Sequence, residues 1–88
     1  MKRNPVIVSW SSDLPTSWTQ VAADELFATV DVVTPSSNTA AVQLRIDGGD
    51  AQSIPPGVGF TLERVDLSRV EVQGAGAGLS LTIGGNNA

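Results

Sequence analysis

Apolar residues in this chain recur at every second position, in short runs that Pro, Gly, Asn or Asp bring to a stop. The cleanest run is Thr39 to Ile46. Ala40, Val42, Leu44 and Ile46 fall on one side, and Ala41, Gln43 and Arg45 on the other. A period of two marks a strand with one buried face, because successive Cβ atoms leave a pleated backbone in opposite directions. In Leu26 to Val33 the residues Leu26, Ala28, Val30 and Val32 oppose Phe27, Thr29, Asp31 and Val33, and Asp31 makes part of the second face wet. Alternation returns in Val58, Phe60 and Leu62 against Gly59, Thr61 and Glu63, in Val70 and Val72 around Glu71, and in Leu79, Leu81 and Ile83. Pro5 to Trp10, Trp18 to Val21 and Ala51 to Ile54 read as further strands. A leading proline suits a strand start or a sheet edge.

The segments between are turns with identifiable chemistry. Ser11 to Ser17 is a Ser, Asp and Pro loop, and Thr34 to Asn38 a turn. Asp47-Gly48-Gly49-Asp50 predicts a hairpin loop, and Pro56-Gly57 fits the central pair of a type II turn. Gly74 to Gly78 is a flexible turn, Val65 to Arg69 a bridge with room for one helical turn, and Ala22 to Glu25 at most another. Seven or eight short antiparallel strands about ten residues apart predict an all-β domain: a β-sandwich or a jelly-roll-like barrel. It spans residues 1–88 as a single domain, with 1–4 and 84–88 as flexible termini or docking arms.

A chain of 88 residues buries roughly 60–65% of its unfolded surface, enough for a thin core with little margin. Small domains often add a disulfide, a metal or a partner. With no cysteine and no histidine, the composition leaves oligomerisation or docking as the reinforcement. The same absences remove the commonest general base and the thiolate nucleophile, so no enzyme and no cofactor is expected. Net charge is −4 and the five basic residues are scattered, which disfavours nucleic acid. No apolar run approaches the ~20 residues of a membrane span. Met1-Lys2-Arg3 is followed by Asn4-Pro5 rather than an apolar stretch, so no export signal is expected.

Three constellations have the residue types that chemistry could use. Asp47 and Asp50 offer calcium two carboxylates, but turn preference alone accounts for them, so no metal site is expected. Gly74-Ala75-Gly76-Ala77-Gly78 has the glycine content of a phosphate loop but leads into a strand, not the helix whose amides a phosphate needs. Trp10 and Trp18 serve either as core and interface residues or as a sugar-stacking platform, and the scarcity of aromatics favours the first. The residues expected in the core or at an interface are Trp10, Trp18, Phe27, Val42, Leu44, Ile46, Phe60, Leu62 and Leu81.

The order of short motifs is Trp18-Thr19-Gln20, Asn38, Val42-Gln43-Leu44, Ile54-Pro55-Pro56-Gly57, Phe60-Thr61-Leu62, Asp66-Leu67-Ser68-Arg69 and Val70-Glu71-Val72. That order, from Trp18 to Gly85, resembles small all-β virion proteins of tailed bacteriophages. The resemblance implies a structural role: a capsid decoration or head-fibre component, or a tail or spike part. It further implies a homo-oligomer, often a trimer, bound to the major capsid protein or another virion protein. Its place would be the virion, assembled in the host cytoplasm. A carbohydrate- or receptor-binding β module is the alternative.

Overall fold

The computed structural model describes residues 4–87. It contains eight strands: β1 (Pro5–Trp10), β2 (Thr19–Gln20), β3 (Phe27–Val33), β4 (Val42–Ile46), β5 (Gln52–Ile54), β6 (Gly59–Asp66), β7 (Val70–Gly74) and β8 (Leu81–Asn87). A single 3₁₀ turn, Leu67–Arg69, joins β6 to β7. The strands form two antiparallel four-stranded sheets, ordered β1-β8-β3-β6 and β2-β7-β4-β5.

This order has a simple generator. β4 pairs with β5, β3 with β6, β2 with β7 and β1 with β8. The chain is thus one antiparallel ribbon with its tip at the β4–β5 hairpin, rolled so that successive rungs land in alternate sheets. The result is a β-sandwich with jelly-roll strand order. At the tip, Asp47 and Gly48 have φ of 54° and 67°, and Gly49 N–H donates to the Ile46 carbonyl at 2.9 Å. Two consecutive positive φ values are the mark of the type I′ turn, whose twist matches that of the strands it joins.

The core lies between the sheets. Ala28, Val30, Val32, Leu81 and Ile83 from the first sheet meet Val42, Leu44, Ile54, Val70 and Val72 from the second, all buried. Each Val, Leu or Ile so buried contributes about 1.5–3 kcal/mol. Leu14, Leu67 and Leu79, also buried, close the core from loops and the 3₁₀ turn. Leu14 N–H donates to the Leu79 carbonyl at 3.1 Å, tying the 11–17 loop down. The link from β5 to β6 turns at Pro56-Gly57, with Gly57 at φ 77°. The buried Thr34 hydroxyl holds it, donating to the Pro55 carbonyl at 2.7 Å and accepting from Val58 N–H at 3.1 Å.

Several expectations need correction. Gly84 to Asn87 are not a loose tail but the second half of β8, a central strand. Asn4 is held against it: its carbonyl accepts from Asn87 N–H at 3.0 Å, and its own N–H donates to Asn87 Oδ1 at 2.7 Å. The remainder of the expected arms, residues 1–3 and 88, lies outside the described residues. Three of the residues expected in the core or at an interface are exposed. Ile46 is 39% exposed because β4 ends there, at the open end of the sandwich. Phe60 is 36% exposed, opposite buried Val32 but on edge strand β6. Phe27 is 49% exposed, in the solvent phase of β3.

Gly85 is required by its neighbours rather than by strand propensity. It pairs with Val30, and a Cβ built on it would run into the Thr29 carbonyl and lie 2.8 Å from Val30 Cα. Gly84, on the opposite face, has only the Val6 carbonyl near its Cβ position, at 3.7 Å. Gly85→Ala is therefore expected to cost about 1–3 kcal/mol or more in denaturant unfolding, as overpacked sites do. Gly84→Ala should stay within about 0.5 kcal/mol. Leu44→Ala should cost about 2–5 kcal/mol, the range for a buried leucine. Equal losses for the two glycine variants would refute the packing assigned to β8.

Candidate interaction face

The outward side of the second sheet carries its most organised polar surface. Pairing sets Gln20, Glu71 and Arg45 in one row, and Gln73, Gln43 and Ser53 in the next. Arg45 Nε donates to Glu71 Oε1 at 2.8 Å, both side chains about a quarter exposed. Gln73 Nε2 donates to Gln43 Oε1 at 2.6 Å, and Gln20 Nε2 to the Ser68 carbonyl at 2.9 Å. The Arg45 guanidinium lies 4.3 Å from the centroid of the Trp18 ring. Trp18 enters this face from the residue before β2, and the stacked cation contributes about 0.5–1 kcal/mol. Chemically the face is flat and nearly neutral. Its amides and its one ion pair can donate to and accept from a partner's backbone or hydroxyls.

The other outward face carries few hydrogen-bonded pairs and many short side chains, with Phe27 at one end of β3. Ile7, Gly84, Asp31 and Thr61 form one row, and Ser9, Thr82, Val33 and Gly59 another. Ile7 stands out of it, 74% exposed, and Thr61 Oγ1 donates to Asp31 Oδ1 at 2.6 Å.

Two clefts lie at the ends. One, of about 440 Å³, is lined by Glu25, Phe27, Ile46, Asp47, Val65, Asp66 and Arg69. The second, about 500 Å³, is rich in hydroxyls: Trp10 lines it with Ser9, Ser11, Ser12, Ser37 and Ser80 among others. In the first cleft Asp66 is the structural anchor. Its Oδ1 accepts from Leu26 N–H at 3.1 Å, Ser68 N–H at 3.0 Å and Ser68 Oγ at 2.8 Å. The Leu26 amide above all, with the Ser68 bonds and Arg69, holds its carboxyl below the usual aspartate range, against a smaller opposing effect of burial. Asp47, expected in the hairpin, accepts from Arg69 at 3.2 Å. No group of three or more His, Cys, Asp or Glu side chains converges among the described residues, and none of their helices is long and apolar enough to cross a membrane.

Of the residues expected in the core or at an interface, Val42, Leu44 and Leu81 come together in the core, with Leu62 and Trp10 half-buried against it. Phe27 and Ile46 meet instead at the first cleft, Trp18 joins the outer face, and Phe60 lies on an edge. The Trp18–Arg45–Glu71 cluster has no local signal in the sequence. Arg45 and Glu71 fall at outward strand positions, but nothing local reveals that β4 and β7 are neighbours. Asp66 carried a readable signal, an aspartate just before a short helical turn, the place where its side chain caps free amides.

Compared with known proteins, the chain matches no protein-family model, no curated protein and no solved structure.

A folded-state pKa below the unfolded value gives stability that is fully present above the unfolded value, about 3.9 for aspartate. That stability is lost as pH falls toward the folded value. Thermal melts from pH 7 down to 2 should therefore show Asp66→Asn less acid-sensitive than the parent, the two curves converging below about pH 4. Parallel curves would show that Asp66 makes no such contribution.

Proposed function

We propose that the protein is a non-enzymatic structural component of a bacteriophage virion, a decoration protein bound to the outside of the head. The observation that carries this reading is the strand order, β1-β8-β3-β6 against β2-β7-β4-β5. Jelly rolls recur in viral capsid and lectin domains. Because one fold serves many functions, this is support by analogy, joined to the motif order from Trp18 to Gly85. The two outward sheet faces offer surfaces for docking. A net charge of −4 suits a basic one, the major capsid protein or another virion protein being the partner. The chain acts there as a homo-oligomer, and its place is the particle, assembled in the host cytoplasm. A tail or spike position would use the same faces.

One observation favours a second reading, a sugar- or receptor-binding module: half-buried Trp18, with Arg45 over its ring, shares an outward sheet face with Gln20, Gln43 and Gln73, amides that match sugar hydroxyls.

Purified protein mixed with heads assembled from the major capsid protein of the same genome should cosediment at low salt. It should be released as salt rises, because screening weakens contacts between exposed charges. Absence from the pellet at every salt concentration would overturn the decoration role. Binding on a glycan array that Trp18→Ala abolishes would establish the second reading instead.

A further inference from the structure

The four sheet edges are not alike. β2 has two residues, β5 has three and runs into Pro55-Pro56, and β1 has six, with a proline at the first of them alone. Short strands and prolines keep an edge from pairing with another chain. β6 has eight residues. Its second half is protected by a bulge: the register with β3 slips between Ala28–Val65 and Val30–Leu62, with Arg64 at φ 51° beside Glu63. Gly59 to Leu62 has no such protection.

The direction of the backbone groups there follows from the pairing. Thr34 N–H donates to the Val58 carbonyl at 3.0 Å, so Val58 faces β3. Groups alternate along an antiparallel ladder. Phe60 and Leu62 therefore also bond toward β3, while Gly59 and Thr61 point their amides and carbonyls off the edge. Side chains alternate in step. Phe60 and Leu62 sit opposite Val32 and Val30, and Val58 continues that apolar row. Val58 is 41% and Phe60 36% exposed.

We propose that this edge pairs antiparallel with the β6 edge of a second copy, about a two-fold axis at Phe60. That axis sets Gly59 opposite the partner's Thr61, and both present outward groups, so each such pair exchanges two hydrogen bonds. Phe60 meets the partner's Phe60 at the position where side chains come closest. Val58 meets the partner's Leu62, so every side chain of the inner row covers an apolar one. An axis at Thr61 would instead set Val58 against the partner's Arg64 and bring Glu63 into the contact. The interface is self-complementary, as a two-fold contact must be. A single strand edge is smaller than the ~1,200 Å² of stable complexes, so the dimer is weak when free and favoured where copies are held side by side. The contact does not depend on the virion reading, and its two-fold symmetry distinguishes it from the trimer implied by the resemblance.

Sedimentation equilibrium from about 10 µM to about 1 mM should show the mass rising from 9.1 kDa toward twice that value. Phe60→Glu should weaken association at least about tenfold, whereas Phe27→Glu, an exposed aromatic elsewhere, should leave it unchanged. Because the chain has no cysteine, Phe60→Cys supplies its only thiol. Under mild oxidation it should form a disulfide-linked dimer, since directly opposed Cβ atoms lie near disulfide range. Thr61→Cys should not. A mass fixed at 9.1 kDa across the range, a dimer that Phe60→Glu leaves intact, or crosslinking through Thr61→Cys in preference to Phe60→Cys would each overturn the proposal.

Discussion

The first sheet depends on β8. It pairs with β1 on one side and β3 on the other, from Pro5–Asn86 to Val33–Thr82. Without it β1 has no partner, and the inner face loses Leu81 and Ile83, both fully buried. Yet its second half is Gly84-Gly85-Asn86-Asn87, residues with little strand preference of their own. The strand is held by its neighbours. Backbone bonds on both sides and the tight seat of Gly85 against β3 do what side-chain packing does elsewhere. Poor propensity is acceptable where the surroundings determine the conformation.

This dependence sets the character of the fold. Only the β4–β5 rung is local; the others join residues progressively farther apart, up to Pro5 with Asn86. Loop closure must precede the reward of such contacts, which makes the topology slow to fold. The Asp47-Gly48 turn closes the shortest loop of the ribbon, and its positive φ values fix the tip and its twist. From there each rung shortens the loop that the next must close. Asp66, Thr34 and Leu14 then fasten the crossings between sheets, each by hydrogen bonds to a distant segment.

What was legible in the sequence follows the same division. Period two located the strands with alternating Val, Leu and Ile, and turn chemistry located the Asp47-Gly48 and Pro56-Gly57 turns. Alternation reports which side of a strand a residue is on, but not whether anything covers that side. Ile46 and Phe60 have the right phase and are still exposed, one at a strand end and one on an edge. Strand order is invisible to a local pattern, and so were the Trp18–Arg45 contact and the buried role of Leu14. The β8 glycines escaped notice because their meaning lies in a neighbouring backbone.

A thin sandwich has two faces and four edges to offer, and its edges are mostly closed. Brevity, proline and a bulge close β2, β5 and the second half of β6 to strand pairing, which leaves Gly59 to Leu62 and the part of β1 beyond Pro5. Larger contacts must then use the faces. These differ in chemistry: one carries Ser9, Thr82, Thr61, Gly59 and Gly84 around Ile7, Val33 and Asp31, the other paired amides with Arg45 between Trp18 and Glu71. Short side chains let a partner's backbone approach closely. Paired amides instead resist dry contact, since any partner must replace bonds already made. For a chain that docks on a broad surface, the short-side-chain face is therefore the better seat. The amide face, with Arg45 stacked on Trp18, is then left toward solvent.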